Sequence, residues 1–377
     1  MQTPESIHEQ YIKLAIKLAK KAEGVTSPNP IVGAVLVKDD KIIGSGYHHR
    51  AGLPHAEIEA INDARRKGNS ALIPGSTIYV TLEPCSTHGK TPPCVNAIIN
   101  EKIKCVVYGA TDPNPLHSGR AKKILTDAGV QVIDGVLAEE CTSLNPAFNH
   151  WIVHKTPYVI LKSAMTLDGK IATASGESKW ITGEKARRYA MNLRKISDAI
   201  LVGVNTVIAD NPSLTYRGIK RIESMKKLRR IILDPNCRIP LNSTVVTDWF
   251  SSFTTVVVSE NADAEKVRKL QTCVNVLKLP FKDGRLDLNL LMKILGEDNV
   301  LALLVEGGGN TNAAFFESRL VNRVVFFYAP KIICGRDAVK AVAGKGFSSW
   351  NEIPKLRNIK FKKMGDDLMI DALVSYD

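Results

Sequence analysis

Apolar positions along the chain change period repeatedly, and each change predicts an element. Ser6-Ile7-His8-Glu9 fits a capping box, with Ser6 as N-cap, and Tyr11, Leu14, Ala15 and Leu18 follow at helical spacing. Pro28-Asn29-Pro30 breaks that pattern. Ile31 to Val37 then reads as a strand, Asp39-Asp40 as a hairpin turn and Lys41 to Ser45 as the return strand. His55 to Lys67 reads as a helix entered through Pro54, and Ser76 to Leu82 as a β-branched strand stopped by Pro84. Thr91 to Glu101 reads as a helix, Lys104 to Gly109 as a strand, and Ala121 to Ala128 as a helix closed by Gly129. Together these predict a mixed α/β layer of ordinary domain size, residues 1–145, ending in a linker at Asn145-Pro146.

The second unit, residues 146–377, repeats the alternation on a different plan. Strands are expected at Tyr158 to Ala164, Ala199 to Val204, Arg230 to Leu233, Thr254 to Ser259, Val300 to Val305 and Val324 to Tyr328. Asp168-Gly169 reads as a turn. Helices are expected at Ala186 to Lys195 and Asn312 to Leu320. Strands separated by helices imply a second α/β domain with a largely parallel sheet.

Composition changes this picture little. Of 377 residues, 44% are apolar and 24% charged, as in ordinary globular protein, and a chain of this length has room for two domains or three. No apolar run is long enough to cross a bilayer, and Met1 to Glu5 carries no secretory pattern, so a cytoplasmic protein is expected. The seven cysteines are odd in number and scattered, which argues against a disulfide framework. Cys105, Cys141, Cys237, Cys273 and Cys334 are expected to be buried thiols. The formal charge of +13 leaves nucleic acid open as a partner. A small anionic substrate and a phosphorylated cofactor are the favoured explanation, because the basic residues are dispersed. The exception is Lys226-Lys227 with Arg229-Arg230, which reads as a solvated loop.

The candidate chemistry begins at His55-Ala56-Glu57, followed by Pro84-Cys85 and Pro93-Cys94. One histidine and two cysteines form the ligand set of a catalytic zinc with one open position, and Glu57 is placed to act as the acid/base. A closed structural zinc would need a fourth ligand, for which His88 is the nearest candidate, but it would not need Glu57. In the second unit, Val305-Glu306-Gly307-Gly308-Gly309 takes a strand through a glycine turn into a helix. Such a turn either cradles a phosphate or is simply tight. It is not the Gly-x-Gly-x-x-Gly dinucleotide fingerprint.

Eight residues separate Cys85 from Cys94, and the stretch Thr81-Leu82-Glu83-Pro84-Cys85-Ser86-Thr87-His88-Gly89-Lys90-Thr91-Pro92-Pro93-Cys94 resembles the pyrimidine deaminases of riboflavin biosynthesis. Pro28-Asn29-Pro30, Val32-Gly33-Ala34, Gly46 to Gly52 and Asp112-Pro113-Asn114-Pro115 carry the same resemblance. Ala121 after Arg120 departs from it. From Asn145 to about Arg336 the chain resembles the reductase fused to that deaminase in bacteria, through Leu161 to Ala172, Ser175 to Thr182, Ala199 to Val207, Asp210 to Thr215 and Val305 to Gly309. Met165 and Asn211 are mild variants there.

This resemblance implies a cytidine-deaminase-like three-layer α/β domain followed by a dihydrofolate-reductase-like α/β domain using NADPH. It implies that Asn29, His48, His88 and Lys90 meet the pyrimidine. It puts Ala164, Trp180, Thr206, Asp210 and Gly308, Gly309, Asn310, Thr311 and Asn312 on the cofactor. It puts Ser178, Arg194, Leu214, Arg217 and Glu306 on the second substrate, with Arg194 and Arg217 as forks for a phosphate. The implied partner is a small pyrimidine ribosyl phosphate, with no nucleic acid and no membrane, and a homodimer or tetramer is implied. Two readings stand beside this one: a tRNA or nucleotide deaminase with an unrelated second domain, and a zinc-stabilised nucleic-acid-binding scaffold.

Overall fold

A computed structural model of the chain describes residues 4–87, 92–115, 117–218 and 227–376. Two compact units divide between Lys155 and Thr156.

The first unit is built on a five-stranded sheet: β1 (Gly33–Lys38), β2 (Lys41–Tyr47), β3 (Thr77–Leu82), β4 (Cys105–Ala110) and β5 (Gln131–Ile133), in the order β2-β1-β3-β4-β5. β1 runs antiparallel to β2 and β3, and β3, β4 and β5 are parallel. Period-2 alternation divides the core. Ala34, Leu36, Ile78, Val80, Val106 and Tyr108 pack on one face with α2 (Ala56–Arg66), α3 (Cys94–Asn100) and α4 (Arg120–Asp127). Val35, Val37, Tyr79 and Val107 pack on the other with α1 (Pro4–Ala19) and α5 (Ala138–Thr142). The result is three layers, as the resemblance implied. α1 begins at Pro4, so Ser6 lies inside its first turn and is not its N-cap.

The expected linker at Asn145-Pro146 is a helix start. Pro146 opens α6 (Pro146–His154), where its missing N–H costs nothing. The buried Asn145 side chain accepts from Ile31 N (2.8 Å) and donates to Ile31 O (3.0 Å), tying α6 into the first unit. The boundary therefore falls ten residues later than expected.

In the second unit the strands are β6 (Tyr158–Thr166), β7 (Lys170–Ala172), β8 (Ala199–Gly203), β9 (Arg229–Leu233), β10 (Thr254–Ser259), β11 (Asn275–Leu279), β12 (Phe281–Lys282), β13 (Arg285–Leu286), β14 (Ala302–Val305), β15 (Arg323–Ala329), β16 (Val339–Lys340), β17 (Lys355–Met364) and β18 (Asp367–Ser375). Nine of them form one sheet, ordered β11-β10-β9-β8-β14-β6-β15-β18-β17. It is parallel from β11 to β15, and β18 and β17 add an antiparallel edge. Val159, Leu161, Leu201, Leu303 and Val305 are buried on one face, and the alternate residues Ile160, Ile200 and Leu304 are buried as well. That explains the near-continuous apolar runs in the sequence. Helix α7 (Glu184–Ile196) matches the expected Ala186–Lys195 segment, and α8 (Val204–Asp210) follows β8 directly. The helix after the glycine turn begins at Gly309, three residues before the expected start. Among the described residues no helix is long and apolar enough to cross a membrane.

Arg230, expected in a solvated loop, has no exposure. Its guanidinium forks onto both Asp248 carboxylate oxygens (2.7 and 2.8 Å) and also donates to Thr254 Oγ1, Ser213 O and Val245 O. Every hydrogen bond donor of a buried charge needs such a partner. Asp248→Ala is expected to cost the second unit about 3 kcal/mol, near the lower end for breaking a buried pair because the neutral acceptors remain. A urea midpoint unchanged from wild type would refute it. Cys105, Cys141 and Cys237 are buried as expected, but Cys273 and Cys334 are exposed.

Candidate active sites

In the first unit, close backbone packing positions the chemistry. A side chain at Gly46 in β2 would lie 2.6 Å from Ala60 N, so glycine there lets α2 sit hard against the sheet. His55 occupies the N-cap position of α2, and Glu57 lies in its first turn, 3% exposed. Cys85 follows β3, and Cys94 is the first residue of α3. His55 Nδ1 lies 3.5 Å from Cys85 Sγ and 3.4 Å from Cys94 Sγ, and the three ligand atoms all lie within 4.8 Å of one another. A tetrahedral ion with bonds of about 2.0–2.3 Å separates its ligand atoms by roughly 3.4–3.8 Å, so the triangle fits zinc with one position left open.

Electrostatics agree with that donor set. Cys94 N–H donates to Cys85 Sγ at 3.2 Å. The Cys85 thiol is pulled down to about 4, chiefly by its hydrogen bond with the Cys94 thiol. The same bond and burial push Cys94 up. Burial, then the negative Cys85, raises the Glu57 carboxyl.

The open side faces a cleft of about 370 Å3 lined by Asn29, His48, His55, Glu57, Cys85 and Trp151, among others. His48 is 2% exposed. Its Nδ1 lies 3.0 Å from Pro54 O, a contact that needs N–H there, so Nε2 accepts from Asn29 Nδ2 at 3.1 Å. Burial lowers its pKa and favours this neutral form. His88 and Lys90 lie outside the described residues. Glu83, Asp112, Asn114 and His117 also line the cleft, although no role was read for them from sequence. So do Phe148 and Trp151 of α6; reading Asn145-Pro146 as N-cap and N1 would have found that helix.

In the second unit two cavities open at the carboxyl ends of the parallel strands, where open α/β sheets bind ligands. The larger, about 770 Å3, is lined by Gly203 to Thr206 after β8, by Arg238, and by Gly308 to Thr311 after β14. A side chain at Gly309 would lie 2.4 Å from Lys340 O, whereas one at Gly308 would meet nothing within 4 Å. Gly309 thus serves packing, and Gly308 leaves open space at a helix N-terminus. Among the residues expected on the cofactor, Thr206, Gly308, Gly309, Asn310 and Thr311 line this cavity. Asn312 does not reach it: it is fully buried and donates to Ala341 O at 2.8 Å, which makes it a prop beneath the turn.

The smaller cavity, about 410 Å3, is lined by Lys162, Ala164, Trp180, Arg194, Arg217 and Glu306, among others. Trp180 is 66% exposed, with the Arg187 guanidinium 4.6 Å from its ring centre. Arg194 does not offer a free fork. It donates to both Glu306 oxygens (3.3 and 2.9 Å) and to Thr215 O (2.9 Å), because a carboxylate this buried requires a countercharge. Burial would raise the Glu306 carboxyl, but Arg194 and then Lys162 outweigh it and hold it at about 2. Leu214 is 3% exposed and lines neither cavity, and neither does the half-buried Ser178. Asp210 ends α8 and pairs with Lys179 at 3.5 Å, which offsets a negative charge at a helix C-terminus.

Known proteins share both halves. The cytidine and deoxycytidylate deaminase zinc-binding region matches residues 5–110, and the RibD C-terminal domain matches residues 157–370. Riboflavin biosynthesis protein RibD of Actinobacillus pleuropneumoniae is 42% identical over 97% of the chain and 94% of its own length. That of Aquifex aeolicus is 43% identical over 97% and 98%. The structure of RibD from Acinetobacter baumannii superposes with a TM-score of 0.86 at 32% identity, covering 99% of this chain and 100% of that one. A Thermotoga maritima structure, described as a diaminohydroxyphosphoribosylaminopyrimidine deaminase/5-amino-6-(5-phosphoribosylamino)uracil reductase, gives 0.81 at 35% identity, covering 99% and 100%.

Proposed function

Because this chain belongs to the RibD family of bifunctional deaminase–reductases of riboflavin biosynthesis, we propose which of its residues carry each step. The first unit hydrolytically deaminates 2,5-diamino-6-(5-phosphoribosylamino)pyrimidin-4-one. The second reduces the ribosyl group of the product to ribityl phosphate with NADPH. The observation that carries this reading is the His55–Cys85–Cys94 triangle, with Glu57 in the same cleft.

His55, Cys85 and Cys94 would hold the zinc, which when bound would lower the pKa of a water at its open position. Glu57, in the same cleft, would hold and move the proton, taking it from the attacking water and delivering it to the departing amine. The half-buried Asn29, paired with buried His48, holds the ring; the fixed tautomer supports a directional contact. His88 and Lys90 remain in this proposal on the sequence resemblance.

NADPH supplies the hydride in the second unit. The glycine turn and Thr206 hold the cofactor; Gly308, with open space before it, supports close approach of a phosphate. Ala164 and Trp180, which line the smaller cavity, would also meet the cofactor, and Asp210 would act through Lys179. Arg217, exposed in the smaller cavity, takes the substrate phosphate, while Arg194 holds Glu306 toward the substrate. Ser178 and Leu214 remain at this site on the sequence resemblance. A homo-oligomer and a cytoplasmic location belong to the proposal; the exposed Leu356, Ile359 and Phe361 on edge strand β17 support self-association.

Product mass with the diaminopyrimidine ribosyl phosphate tests the function. Without NADPH, exchange of amine for oxygen is expected; with NADPH, gain of two hydrogens follows. Chelation of zinc should abolish the exchange while preformed aminouracil is still reduced. No exchange by zinc-loaded protein would sink the substrate assignment and favour a nucleotide or tRNA deaminase.

A further inference from the structure

Glu83 stands two residues before Cys85 and is 3% exposed, yet neither the zinc triangle nor the acid/base step uses it. Both of its carboxylate oxygens are committed. Oε2 accepts from Asp112 N (3.2 Å) and Gly119 N (3.0 Å), and Oε1 accepts from Ala121 N (3.0 Å). Gly119 is the N-cap residue of α4, and no side chain of its own caps that helix. Glu83 therefore caps α4 from another part of the chain and at the same time grips the start of the loop leading to it.

That loop is a wall of the deaminase cleft. Asp112, Asn114 and His117 all line it. Two further contacts set its shape: Asp112 Oδ1 accepts from Asn114 N at 2.9 Å, and His117 lies 3.3 Å from Thr87 Oγ1 on the Cys85 side. A buried carboxylate that accepts several backbone N–H groups is rigid and costly to replace, because an amide offers one acceptor and turns donors toward donors.

We propose that Glu83 is a positioning residue for deamination: it clamps the wall carrying Asp112, Asn114 and His117 to the strand end that carries Cys85 and so sets how the pyrimidine ring lies against the zinc site. It acts on substrate placement through the wall, not on the metal or on proton transfer. This rests on the deaminase reading above.

The test uses full-length, zinc-loaded Glu83→Gln and Glu83→Asp. In Glu83→Gln the KM for the pyrimidine should rise roughly tenfold or more, with a smaller change in kcat. Zinc content and NADPH-dependent reduction should match wild type. Amide hydrogen exchange at Asp112, Gly119 and Ala121 should quicken at least about tenfold in the same sample. Glu83→Asp keeps the charge one methylene short and should recover part of both effects. An unchanged KM, a fall in kcat alone, or loss of zinc in both variants overturns the proposal. If wild-type protein does not turn over this pyrimidine, the deaminase reading fails, and the exchange rates still decide whether the clamp exists.

Discussion

Glu57→Gln is expected to lower the deamination rate by roughly two to four orders of magnitude, the range for a lost general acid–base. Zinc content and reduction by NADPH should not change. Glu57 lies in the cleft beside the His55–Cys85–Cys94 triangle but is not one of its members. It is almost wholly buried, and burial, then the Cys85 charge, raises its carboxyl above the ordinary value. A carboxyl poised in that way exchanges protons readily once an attacking water is present. The amide of glutamine fills the same space and carries no such proton. Deamination retained in Glu57→Gln would remove this residue from the mechanism. Loss of zinc together with activity would make it a structural support of the metal site.

Glu306→Gln should destabilise the second unit by about 3 kcal/mol and abolish reduction, while deamination continues. Arg194 and Glu306 are only 10% and 12% exposed, and the neutral amide would leave the guanidinium buried without countercharge. The sign with pH follows from the depressed carboxyl. Its ordinary value is 4.5 and it is held at about 2. Its stabilising contribution is thus complete above about pH 4.5 and disappears as pH falls toward 2. Urea midpoints of wild type and Glu306→Gln should differ at neutral pH and converge in acid. A difference that persists unchanged to pH 2 would show that the ion pair is not its source. Replacing both partners with apolar residues should recover stability but not reduction, since a buried pair is costly to break and cheap to remove whole.

Much of this was legible because it is written locally. The ligand triad and its glutamate lie in short clusters whose residue types alone fix the chemistry. The elements around them follow from periodicity, as in Ala34 and Leu36 facing away from Val35 and Val37. Errors arose where the decisive partner is distant in sequence. Asn145 looked like a linker residue because Ile31, which it binds, lies 114 positions away. Arg230 looked solvated because Asp248 and the strands on either side of it, β8 and β10, lie elsewhere in the chain. Nothing local shows that the Asn312 side chain is held by Ala341 O, 29 positions on.

The sequence by itself therefore determined the class of reaction at the zinc site, the two-unit α/β plan and the glycine turn that faces a cavity. Each depends on residue type and spacing within one or two elements. Only the tertiary structure decided which charges are free and which are spent. Arg194 is committed to Glu306 across 112 positions, and Glu83 is committed to backbone groups 29, 36 and 38 residues on. Burial removes water as a partner, so an ionised or polar side chain must take whatever the fold brings near. Which groups the fold brings near is set by sheet order and helix packing, and no local pattern in the chain records it.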